Sequence, residues 1–137
     1  MDFISFDLAK KLKEKGLSCK YPLAMYNERG WFCPLFTSAD RNPNIKSVFG
    51  NREYYDYDDF DEKDFIAPTI SQVLKWLREE KRIDAGAVWD NRDGKWVGYI
   101  NEMDMPDLVG EYVLPNTHDT YEAATIASIE YVLDNLI

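Results

Sequence analysis

The side chains best suited to chemistry in this 137-residue chain are one histidine, two cysteines and a run of carboxylates between Glu53 and Asp64. A lone histidine forces every histidine-containing dyad or triad to run through His118. Its neighbours Thr117 and Asp119 read as a loop leading into a helix, so the residue is expected to be structural. Cys19 and Cys33 form no Cys-x-x-Cys pair, which leaves zinc and thiol redox sites without a ligand spacing. Both are read as reduced packing residues, as befits two isolated thiols in a cytosolic chain.

The acidic run Tyr54-Tyr55-Asp56-Tyr57-Asp58-Asp59-Phe60-Asp61-Glu62-Lys63-Asp64 has the most unusual local composition. Calcium loops gather carboxylates at fixed places with glycine at the sixth. Starting such a loop at Asp56 puts Phe60 at the fifth place and Asp61 where glycine is needed, and starting at Asp59 puts Lys63 at the fifth. The spacing therefore argues against calcium and for a solvated strand or loop with aromatic and acidic residues alternating. The same composition suits a partner surface. Tyr54, Tyr55 and Tyr57 would supply contact area, and Asp58, Asp59 and Asp61 would steer a basic partner.

Two further acid pairs, Asp104 with Asp107 and Glu79 with Glu80, could serve proton transfer only if their environments differed. Neither pair is marked out among 25 acids, and Glu79 and Glu80 fall at the wet end of a helix beside Arg78 and Lys81. Glycine-rich phosphate loops, serine-nucleophile elbows and metalloprotease helices are missing. No catalytic residue, metal ligand or cofactor is expected.

The elements that would position these groups have legible boundaries. Residues 5–16 read as a helix with Ser5 as N-cap, Asp7 at the positive end of the dipole, and Ile4, Leu8, Ala9 and Leu12 as the buried stripe. Gly16-Leu17 predicts a Schellman ending. Tyr21 to Phe36 reads as a hairpin around Asn27-Glu28-Arg29-Gly30. A second hairpin spans Ala85 to Trp89 and Lys95 to Asn101 around Asp90-Asn91-Arg92-Asp93-Gly94, with Trp96, Gly98 and Ile100 on one face and Val97 and Tyr99 on the other. Tyr112 to Leu114 reads as a strand ended by Pro115. Thr69 and Gln72 form a capping box for a helix running to about Lys81. The last helix starts at Asp119 or Thr120 and continues along Ile126, Ile129, Val132, Leu133 and Leu136.

Sixteen basic against 25 acidic residues give a net charge of -9, which repels phosphate backbones and makes nucleic acid an unexpected partner. Without a stretch of some 18 apolar residues, and with an N-terminus that opens on an acid and an amphipathic pattern, neither a membrane span nor a signal peptide is expected. The cytosol is the expected compartment.

Ala67-Pro68-Thr69, Gln72 and Trp76-Leu77-Arg78-Glu79 resemble a motif of small uncharacterised proteins of gut bacteria, their prophages and conjugative elements. The opening Ile4-Ser5 through Gly16-Leu17 and the closing Tyr121-Glu122-Ala123 through Leu136-Ile137 resemble that family's other two landmarks. The resemblance implies a mobile-element setting and carries over no activity and no site residues.

Together these readings predict an α+β fold in one globular domain, 1–137, with an antiparallel sheet from two hairpins covered by about three helices. The expected function is a non-catalytic protein-binding or adaptor domain. Two alternatives stand beside it: an acidic DNA mimic that inhibits a DNA-binding enzyme, and a small hydrolase or metal-dependent enzyme using His118 and nearby acids. Exposed aromatics leave homo-oligomerisation open.

Overall fold

The computed structural model describes residues 2–18, 22–36, 55–56, 63–105 and 110–137. They form an α+β arrangement whose contacts divide into two compact units, 1–69 and 70–137.

In the first unit α1 (Phe6–Glu14) begins where Ser5 accepts a hydrogen bond from the Leu8 amide at 3.3 Å, satisfying one donor that the helix cannot. Leu8, Ala9 and Leu12 are buried along one face. The end is a complete Schellman motif: Leu17 N–H donates to the Leu12 carbonyl and Gly16 N–H to that of Lys13, with Gly16 at φ +87°.

Four short strands follow: β1 (Ala24–Tyr26), β2 (Phe32–Phe36), β3 (Tyr55–Asp56) and β4 (Phe65–Ile66), in the order β3-β2-β1-β4. β1 is antiparallel to β2 and β4, and β2 is parallel to β3. The β1–β2 turn is tied by Asn27, whose side-chain oxygen accepts from the amides of Arg29 and Trp31. Gly30 completes it at φ +83°, and a Cβ there would stand 2.6 Å from the Phe6 ring. Only glycine lets the turn approach α1 so closely. The rings of Phe3, Phe6, Tyr26, Phe32 and Phe65 meet one another at 5.0 to 5.6 Å in tilted or edge-to-face pairs. The Tyr26 hydroxyl donates to the Ile4 carbonyl at 2.6 Å, and burial raises its pKa.

The second unit starts with α2 (Ile70–Glu80), directly after Thr69, and buries Val73, Trp76 and Leu77. Then come β5 (Ile83–Asp90), β6 (Lys95–Glu102), β7 (Glu111–His118) and α3 (Tyr121–Asn135). The three strands form one antiparallel sheet in chain order. Asp90 accepts from the Arg92 amide, and Gly94 at φ +63° donates back to the Asp90 carbonyl, closing the turn. α3 covers the face that carries Gly98 and Ile100. Ser128 and Ala124 lie directly over Gly98, and the Ser128 hydroxyl donates to the Gly86 carbonyl at 2.8 Å.

Three expectations change. The two hairpins found two sheets rather than one, because β1 and β2 take β4 and β3 as their partners, and local alternation does not encode which strands meet. The last strand does not stop at Pro115 but runs on to His118. Val97 pairs with Thr117 and Tyr99 with Val113, so Leu114, Pro115 and Asn116 stand opposite Gly98 alone in a bulge, on an edge strand. A residue without an N–H is tolerated there. His118 consequently belongs to a strand and not to a loop. Between the two N-cap readings for α3, Thr120 is the cap, accepting from the Ala123 amide at 3.1 Å, while Asp119 is paired with Lys95.

Candidate functional site

Trp89 is the last residue but one of β5 and Trp96 the second of β6, and the hairpin register sets them opposite each other on the face that α3 covers. Their rings meet edge to face at 5.3 Å. Tyr121, the first residue of α3, stands edge to face with Trp96 at 5.3 Å on the far side of the row. His118 faces Trp96 from β7. The row therefore lies by the strand ends and is held by the β5–β6 turn and a helix start. It is nevertheless open: Trp89 is 50% exposed and Tyr121 42%. Large aromatic rings fixed in place yet half in water are the composition of a contact surface, since they offer area at little conformational cost.

Charge around the row is uneven. Along the chain its residues are flanked by Asp90, Asp93, Asp119 and Glu122, against Arg92 and Lys95. Lys95 pairs with Asp119, and the hydrogen bond and charge of that ammonium hold the Asp119 carboxyl below the usual carboxylate range, with a smaller effect from His118.

Away from the row, the opposite sheet face shows Val88 and Val113, both partly open to water, next to Tyr99. Burial raises the Tyr99 phenol, helped by Glu111 and Asp84. Tyr112, on the helix side, packs on Tyr131 and is pushed up to about 12 by burial, then by Glu102 and by Tyr131. A phenol raised above its ordinary value of 10.0 favours the fold while it stays protonated and ceases to do so as pH climbs toward 12. The urea midpoint is expected to fall across that window, and Tyr112→Phe to flatten the fall; an equal fall in the variant would refute the assignment.

The residues singled out from sequence are placed unevenly. Tyr54, Tyr57, Asp58, Asp59 and Asp61 lie outside the described residues, and Tyr55 is described only through its backbone in β3, paired with Leu35. Cys33 is buried and Cys19 lies outside the described residues. Asp104 pairs with Arg82 and Glu79 with Lys75, whereas Asp107 is not among the described residues. No group of three or more His, Cys, Asp or Glu side chains among the described residues could hold a metal. In the first unit, a pocket lined by Ala9, Lys13, Leu17, Asp64 and Ile66 offers about 160 Å³, well short of the roughly 300 Å³ at which small-molecule sites begin.

Trp89 and Trp96 were not singled out as a site by residue type, although the turn between them predicts that they face one another. Tyr121 carries no such local signal, because its approach to Trp96 depends on where α3 lands.

No protein-family model, curated protein or solved structure matches the chain at a significant level. Among the described residues no helix is long and apolar enough to cross a membrane.

Proposed function

We propose that the chain is a non-catalytic protein-binding or adaptor domain of the cytosol, with the Trp89–Trp96–Tyr121 row as its contact surface. The observation that supports this reading is the pairing of fixed geometry with exposure: the rings stand 5.3 Å apart while Trp89 is half in water. Tryptophan and tyrosine in such settings carry a disproportionate share of binding energy at protein interfaces. The acidic segment with Tyr54, Tyr55, Tyr57, Asp58, Asp59 and Asp61 is proposed as a second, salt-sensitive contact that steers the same partner. The Ala67-Pro68-Thr69 to Glu79 motif and the two terminal landmarks support a mobile-element setting.

Affinity capture from host-cell lysate tests this with three baits: wild type, Trp89→Ala with Tyr121→Ala, and Asp58→Asn with Asp59→Asn and Asp61→Asn. A partner is expected on wild type, lost from the aromatic variant, and held more weakly and with less salt dependence by the amide variant. A partner held equally by all three, or none specific to wild type, would remove the proposal. The net charge of -9 favours one narrower version, a mimic of DNA charge that occupies a DNA-binding enzyme. Competition with duplex DNA for a nuclease or repressor tests that version.

A further inference from the structure

Several aromatic rings in this chain are covered by lysine. The Lys10 ammonium lies 4.7 Å from the centre of Phe6, that of Lys13 4.7 Å from Phe65, and that of Lys81 5.4 Å from Trp76. Each is at a distance where the negative ring face attracts a cation. The Trp89–Trp96–Tyr121 row has no such cover among the described residues, although it is more open to water than Trp76, which is 7% exposed. Lys95, the residue before Trp96, is turned to Asp119. Asp93, in the turn between β5 and β6, and Glu122, the residue after Tyr121, are exposed. Half-exposed indole and phenol rings, with the exposed carboxylates of Asp93 and Glu122 close to them along the chain as an acidic rim, make a surface complementary to positive charge.

Resting on the binding-domain reading above, we infer that the partner element seated on the Trp89–Trp96–Tyr121 row is a cationic peptide segment that lays arginine or lysine side chains against Trp89 and Tyr121 within reach of Asp93 and Glu122. The rings supply the near contact and the carboxylates the longer-range attraction. Arginine is the better fit, since its planar guanidinium stacks on a ring and keeps its donors for the carboxylates. A neutral peptide or a sugar would use the ring area and leave the acidic rim without a role.

The test is a titration of the full chain with a short arginine–glycine peptide and with the same peptide carrying citrulline for arginine. Binding is read from the indole N–H resonance of Trp89, identified by its loss in Trp89→Leu. The arginine peptide is expected to move that resonance saturably and the citrulline peptide to bind about tenfold more weakly, as for loss of a charge-assisted contact. Trp89→Leu leaves the net charge unchanged, so nonspecific attraction persists; affinity, followed by the Trp96 indole, should still drop about fivefold. Tyr121→Leu gives a second variant at the other end of the row, with the same expectation. Equal binding of the citrulline peptide would overturn the cationic partner while leaving the binding surface in place. No saturable shift with the arginine peptide, or full affinity in both leucine variants, would overturn it as well.

Discussion

Gly98→Val is expected to cost the second unit about 3 kcal/mol, the upper part of the range for overpacking a well-filled interior. A Cβ at this position would already stand 2.5 Å from the Ser128 oxygen, 2.9 Å from Leu114 and 3.3 Å from the Ala124 carbonyl. None of these yields easily. The Ser128 hydroxyl is bound to the Gly86 carbonyl, the Ala124 oxygen is helix backbone, and Leu114 sits in the bulge opposite Gly98. Valine adds two methyl groups to that first contact. Urea unfolding followed by circular dichroism would show the loss. Gly16→Ala is the contrast: nothing lies within 4 Å of its Cβ, so only the left-handed backbone, at φ +87°, is penalised, by about 1 kcal/mol. An unchanged midpoint for Gly98→Val would mean that α3 does not approach the sheet through this glycine.

Ile129→Ala should be of similar size, about 3 kcal/mol, because the side chain is fully buried and its removal leaves both lost transfer energy and a cavity. Ile129 lies one residue beyond Ser128, on the same buried face of α3 as Thr125, Val132 and Leu133. The closeness that Gly98 and Ser128 permit is what lets Ile129 reach the core. Glu130→Ala, the next residue and exposed, should stay within about 0.5 kcal/mol of wild type. Equal effects from the two neighbours would contradict the orientation of the helix.

What could be read in advance follows the range of the forces involved. Ser5, Gly16 and Thr120 act on groups within five residues of themselves, and each occupies the position its chemistry predicts. The turn glycines, Gly30 and Gly94, and the two faces of β6 were equally legible. The division into two sheets was not, since a three-residue strand such as β1 specifies a pleat and not a partner. Pro115 was misleading for a related reason: it reads as a stop, and only its place in an edge strand opposite Gly98 makes it tolerable. The site divides the same way. The Trp89–Trp96 pair follows from the turn that joins their strands, whereas Tyr121 joins them through the docking of a helix more than twenty residues further along the chain. The carboxylate run that dominates the sequence falls mostly outside the described residues, so residue type alone drew attention away from the hairpin end.

The bulge in β7 also bears on the stacking of sheet on sheet between copies of the chain. A strand at the side of a sheet offers its outward amides and carbonyls to any passing chain, and an unbroken row of them is a template for stacking sheet on sheet into fibres. In β7 that row is broken near its middle: Pro115 withholds a donor, and three residues crowd the space of one. A chain that tried to add itself along this side would lose its register after a few residues. The proline that the bulged edge strand tolerates thus discourages open-ended polymerisation from the same strand.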